Sequence, residues 1–314
     1  MKKSMLCCLV AFFLGVTGSA SAAPAYRIGI ACPTADHGWT GGVVWWAEQA
    51  VLEFGKVHPD IEFVLKQSES DKEQVSQIEA MHEKKLGALV ILPHRPAPLT
   101  TVLNKVHRSG TFIVVVDRSI PKVPKNIYIA GDNYGFGHGC GKHMANALQG
   151  KGNIVVMEGI PCEGNTLRIN GFKNGIQGHP EIVVMDSQPA FWSPVKAYEL
   201  MLQYLDQFPK IDAVWCGDDD VLEAAVQAYK ESGRKDIQFF LGGGGSKNIV
   251  KMILDGDPLV SATVTYPPKM MYESIRIAVE HLKKGTVFEK EIAMPSTLVT
   301  RENAKEFYYP DSIY

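Results

Sequence analysis

Charged and aromatic side chains recur just beyond short apolar runs of this 314-residue chain. Asp36, His37 and Trp39 follow residues 26–31, Glu69 follows 61–66, His94 and Arg95 follow 88–92, and Asp117 and Arg118 close 112–117. The second half adds Arg168 beyond 153–158, Trp192 after 181–186, Asp218, Asp219 and Asp220 after 213–216, and Tyr266 after 261–265. Carboxylates, guanidinium and imidazole groups grip hydroxyls through hydrogen bonds, and indole and phenol rings stack on the apolar faces of a pyranose or furanose. The collection suits a polyhydroxylated small molecule.

Each residue alone has a plainer use. An Asp-Arg pair at a strand end is commonly a surface ion pair of little worth. A loop Trp often covers core, and an acidic run often opens a helix, where carboxylates favour the N-terminus. What sets these residues apart is that they converge on one locus, and the elements around them explain why.

The apolar runs are near-continuous, as expected of parallel strands covered on both faces, and 127–130 and 237–241 complete the set. Between them apolar positions recur at three and four, as in Val43, Trp46, Ala47, Ala50 and Phe54, or Leu99, Val102, Leu103 and Val106. These are helices with one buried stripe. Two consecutive βα arrays without a linker predict two doubly wound α/β lobes, residues 23–130 plus 267–291 and residues 131–266 plus 292–314. Crossings are expected at Ala130-Gly131, Tyr266-Pro267 and residues 292–295. In open α/β sheets ligands lie beyond the carboxyl ends of the strands, so all the residues above should face the cleft between the lobes.

Lys2 and Lys3, the apolar run 5–16 and the small residues Gly18, Ala20, Ser21 and Ala22 read as a secretory signal peptide over residues 1–22, with the mature chain starting near Ala23. Cys7 and Cys8 lie far from the cleavage site, so a free periplasmic protein is expected rather than a lipoprotein. With 32 Lys and Arg against 34 Asp and Glu, the net charge of −2 gives no reason to expect nucleic acid as a partner. Cys32, Cys140, Cys162 and Cys216 show no metal-like spacing; at most one disulfide is expected, with Cys140 and Cys162 as the pair to check.

Several motifs together make the chain similar to periplasmic sugar-binding proteins of the ribose-binding type, the solute receptors of ABC importers. They are the opening strand and its aromatic loop to Trp39, Val114-Val115-Val116-Asp117-Arg118, Ala130-Gly131-Asp132-Asn133, Arg168-Ile169-Asn170-Gly171-Phe172, and Asp218-Asp219-Asp220. The resemblance implies a type I periplasmic binding protein fold with a three-strand hinge. It implies that Trp39 and Trp192 sandwich a sugar, that Asp117, Arg118, Arg168 and Asp218 grip its oxygens, and that His37 and Tyr266 stand where relatives carry Asn and Gln. It also implies an ABC permease as membrane partner. Where many relatives carry an Asp after the strand near residue 241, this chain has Gly242-Gly243-Gly244-Gly245. Tyr266 and His37 are expected to refill that space in part, for a pentose, a hexose in another ring form or an open-chain polyol.

Gly135, Gly137, Gly139 and Gly141 before Lys142 resemble a phosphate loop, but Phe136 and His143 stand where Gly and Ser or Thr are needed, so a close-packed loop feeding a helix is expected. No hydrolase motif is present. Asp117 and Asp218 could pair as glycosidase carboxylates, yet Arg118 would lower a pKa that a general acid needs raised. The expectation is therefore a monomeric binding protein without cofactor or metal. A periplasmic sensor serving a kinase or chemoreceptor is the alternative, and a sugar-processing enzyme the third reading. The aromatic segment 307–314 has no assigned role.

Overall fold

The computed structural model describes residues 24–35 and 38–314. Residues 1–22, expected to form a signal peptide, and His37, expected at the site, lie outside the described residues. The first half runs β1 (Tyr26–Pro33), α1 (Gly38–Val57), β2 (Ile61–Ser68), α2 (Asp71–Glu83), β3 (Ala88–Ile91), α3 (Pro96–Arg108), β4 (Phe112–Val116) and β5 (Ile127–Gly131). The chain then crosses into α4 (Asn133–Ala147), β6 (Lys151–Glu158), α5 (Glu163–Ile176), β7 (Glu181–Pro189), α6 (Pro194–Gln207), β8 (Ala213–Cys216), α7 (Asp219–Ser232), β9 (Phe239–Gly244), α8 (Lys247–Asp255) and β10 (Ala262–Thr265). It ends with α9 (Met270–Lys284), β11 (Glu291–Met294), β12 (Leu298–Thr300) and α10 (Ala304–Phe307).

Two six-stranded sheets result, ordered β11-β5-β4-β3-β1-β2 and β12-β10-β9-β8-β6-β7. All pairings are parallel except β10 with β12. Every residue of β3, β4 and β8 is buried, which explains their unbroken apolar sequences. Helix α9 packs on β1, β3, β4 and β5 of the first sheet. Because β11 pairs with β5 while β12 pairs with β10, the last crossing lies at residues 295–297, at the far end of the expected 292–295, and residues 292–294 stay with the first sheet rather than passing to the second lobe. The short runs Glu291–Met294 and Leu298–Thr300 carry little apolar signal of their own and become strands by adding to sheet edges.

The glycine series 135–141 is not a loop but the body of α4. Close helix packing overrides glycine's poor helix propensity here. A Cβ on Gly137 would overlap the Arg168 carbonyl of α5 and one on Gly141 the Phe172 carbonyl, while Gly175 returns the favour, its Cβ position 2.7 Å from the His138 carbonyl. The packing brings Arg168 against the hinge. Cys32, Cys140, Cys162 and Cys216 are all free thiols, with Cys140 buried and Cys162 exposed, so the Cys140–Cys162 bridge does not form.

Candidate functional site

Several helix N-termini are capped by side chains standing just beyond strand ends. Asp132 accepts from the Gly135 amide at 2.7 Å, Asp218 from Val221 at 2.8 Å and Ser246 from Ile249 at 3.3 Å. The caps anchor the loops at the lobe crossing, and the site is built between them.

Tyr266, only 6% exposed, sits at its centre, immediately after β10. Its hydroxyl donates to Asp117 Oδ1 at 2.6 Å and accepts from Asn133 Nδ2 at 3.3 Å, and its carbonyl accepts from Trp39 Nε1 at 2.9 Å. Asp117 and Trp39 belong to the first lobe and Asn133 to the second, so one residue ties three segments across the hinge. Asp117 has φ +60°, a conformation tolerated by Asp better than by most residues. Burial, followed by the charge of Asp117, holds the Tyr266 phenol well above its ordinary pKa, so it remains a donor at physiological pH.

Arg168 is 7% exposed. Its Nε donates to Asn133 Oδ1 and its Nη1 to the Gly217 carbonyl, both at 2.8 Å. The guanidinium lies over the rings of Phe136, Tyr266 and Trp192, at 4.3, 4.5 and 5.6 Å from their centroids. Only two of its five donors are placed by these bonds, which leaves a buried cation with donors to spare. Beside it, Trp192 follows Phe191 with both residues at positive φ, +53° and +59°. Non-glycine residues hold such backbone only where surroundings impose it. The Trp192 indole packs on Gly159, and its Nε1 is buried without a hydrogen-bond partner. A buried donor left unpaired costs free energy, and a ligand oxygen would remove that cost.

Asp218 lines the same wall; burial, then the Asp220 charge, pushes its pKa up to about 8. Its neighbour Asp219 is fully buried and joins α7 to the glycine turn, accepting from the Gly245 and Ser246 amides at 2.8 and 2.7 Å and from Thr263 Oγ1 at 2.8 Å. Asp220 Oδ2 accepts from the Gly38 amide at 3.2 Å, a direct contact between the lobes.

The remaining candidates stand apart from this cluster. Arg118 Nη1 donates to the carbonyls of Pro93 and His94 at 3.1 and 2.8 Å, staying inside the first lobe. His94 Nδ1 lies 3.2 Å from Asp71 Oδ1. Arg95 is paired with Asp71 through a 2.6 Å bond from Nε and has a side chain 75% exposed, and Glu69 is exposed beside the α2 cap. Two residues that no strand-end position marks join the cluster: Asn133, whose motif gives no sign of its contacts with Tyr266 and Arg168, and Tyr314, from the C-terminal segment. The space beside Gly244 is taken by the Tyr314 hydroxyl, not by Tyr266, whose ring turns toward Asp117 and Gly131.

Two α/β lobes, three crossings and a polar-aromatic cluster between them define a two-lobed binding protein. The chain belongs to the periplasmic binding protein domain family, which matches residues 28–286. It is 27% identical over 237 residues to the ribose import binding protein of Bacillus subtilis, covering 75% of each chain. It is 28% identical over 255 residues to the galactofuranose-binding protein of Escherichia coli, covering 77% of this chain and 80% of that one. The fructose-binding periplasmic domain of a hybrid two-component system superposes with a TM-score of 0.74 at 28% identity, over 90% of this chain and 92% of that domain. The family is one of binding proteins, and no described helix is long and apolar enough to cross a membrane.

Proposed function

We propose that this protein works in the periplasm, where it captures a sugar or sugar alcohol in the interlobe cleft and presents the closed, loaded form to a membrane ABC permease. The observation that carries the reading is the pairing of Arg168, buried with uncommitted donors, with Trp192, whose indole N–H is buried and unpaired. A polyol that brings one oxygen to the indole edge and others to the guanidinium would satisfy both. The names of the relatives, which bind ribose and galactofuranose, support the same ligand class.

In this reading Trp39 and Trp192 flank the ligand. Arg168, Asp117 and Asp218 hold its oxygens, Tyr266 and Asn133 position those groups, and Arg118 and His94 shape the first-lobe rim. Closure is hinge motion about the three crossings, and the ligand leaves chemically unchanged. A second reading, presentation of the ligand to a sensor kinase, is favoured by the likeness to the periplasmic domain of a two-component system.

A thermal-shift screen against pentoses, hexoses, sugar alcohols and amino acids tests the proposal, since a ligand of the native state raises apparent stability by mass action. A large shift with one polyhydroxylated compound, recovered unchanged by mass spectrometry, is expected. Silence across all of them, or turnover of the bound compound, overturns it.

A further inference from the structure

The segment after α10 does not stay with the second lobe. Phe307 and Tyr308 pack on the second-lobe core. Tyr309 then packs against Trp45 and Trp46 of α1 in the first lobe, tilted against the one and edge-on to the other, with ring centroids at 6.3 and 5.1 Å. Lys247 Nζ of α8 donates to the Ser312 carbonyl, and Ile313 and Tyr314 run back over the start of α1. The strap therefore touches both lobes beside the cleft.

Its bed is shaped by missing side chains. A Cβ on Gly38 would stand 2.9 Å from the Tyr314 ring, on Gly41 2.7 Å from Ile313 Cδ1, and on Gly42 3.0 Å from Tyr314 Cβ. On the opposite lobe, a Cβ on Gly244 would collide with the Tyr314 hydroxyl, and Gly244 has φ +131°, a backbone that side chains rarely adopt. Glycines from both lobes thus leave room for one ring, and Tyr314 is 7% exposed between them. Its phenol stands among the carboxylates of Asp219, Asp220 and Asp218, and its pKa is raised first by burial and then by their charges, which keeps the proton on the oxygen. Among the described residues no hydrogen bond involves that hydroxyl, whereas the Tyr314 amide donates to Ser312 Oγ at 3.1 Å.

We propose that Tyr314 is a specificity-determining residue of the ligand cleft: carried in by the strap, its hydroxyl meets the ligand at the side-chain-free end of β9 beside Gly244. This rests on the sugar-capture reading above. The phenol can donate to and accept from a ligand hydroxyl where β9 offers only backbone, and its ring shortens that end of the cleft. Ligands are thus sorted both by the placing of one hydroxyl and by length.

The test uses the full chain as wild type, Tyr314→Phe and Tyr314→Ala, titrated by calorimetry with D-ribose, D-galactose, D-fructose, D-allose and xylitol. Removing the hydroxyl alone should weaken the best wild-type ligand by about fivefold or more and change the rank order of the panel. Tyr314→Ala should weaken that ligand further while admitting a longer one. Unchanged affinities and rank order in Tyr314→Phe would reduce the residue to a packing role and overturn the proposal, and so would uniformly tighter binding in Tyr314→Ala, which would make the strap a plug. Wild-type protein that binds none of the panel would remove the sugar-capture reading itself, an outcome separate from a wild type that binds while the variants match it.

Discussion

The hydroxyl of Tyr266 donates to Oδ1 of Asp117 at 2.6 Å, joining the residue just beyond the second lobe's β10 to the one just beyond the first lobe's β4. A buried hydrogen bond to a carboxylate is worth about 1.5 to 3 kcal/mol, so this bond is a clasp between the lobes. Tyr266→Phe should lower stability by about 1 to 2 kcal/mol, and Asp117→Asn, which keeps tolerance of positive φ, by a similar amount. In denaturant unfolding the double variant should cost clearly less than the sum of the two. Strict additivity would mean that the bond contributes nothing.

The α4–α5 contact divides its glycines sharply. Gly137→Ala puts a methyl into the Arg168 carbonyl and should destabilise by about 1 to 3 kcal/mol or more, displacing Arg168 and weakening ligand binding with it. Gly139→Ala meets nothing closer than Val264 at 3.8 Å, and in a helix it should stabilise by up to about 1 kcal/mol. Guanidinium midpoints of the two variants should move in opposite directions; a shared direction would contradict the packing argument.

Asp218 and Asp219 have pKa values raised to about 8 and about 7, chiefly by burial. Unfolded, they titrate near about 3.9. The native state therefore holds protons that the unfolded state has lost between those limits. The stability contributed by these protonated acids is complete below about pH 4 and is lost as the pH rises toward 8. Asp218→Asn, which still caps α7, should gain stability relative to wild type between pH 5 and pH 8. A pH-independent difference between the two would refute the assignment.

Arg95 tests the edge of the site. Its guanidinium is paired with Asp71 and its side chain is mostly exposed. Arg95→Ala should change ligand affinity less than about twofold, whereas Arg168→Lys, which cannot reproduce a planar set of donors, should cost tenfold or more. Calorimetry on the two variants would show the contrast, and equal losses would place the cleft too narrowly here.

Ten strands were legible as apolar runs, most plainly β3, β4 and β8, which are buried along their whole length and carry only apolar residues. Strands β11 and β12 were not, since Glu291–Met294 and Leu298–Thr300 are held by edge pairing rather than by their own composition. Helix α4 was hidden because its glycines signal a loop locally and are explained only by the carbonyls of α5 pressed against them. At the site, Trp39, Asp117, Arg168, Trp192, Asp218 and Tyr266 were readable as residues beyond strand ends. Tyr314 was not: it is far from every strand end in sequence, and only the strap's path across α1 brings it to Gly244. Glu69 and Arg95 shared the strand-end signal, yet side-chain direction turned them to solvent and to Asp71.

The central claim is that a sugar or polyol lies against Trp192 in the cleft, and one comparison tests it directly. The compound giving the largest thermal shift is titrated calorimetrically into wild type and into Trp192→Ala. The account predicts a loss of about 1 to 3 kcal/mol of binding free energy from lost stacking and burial, with the fold intact. Unchanged affinity in Trp192→Ala would contradict it and take the ligand out of this cleft.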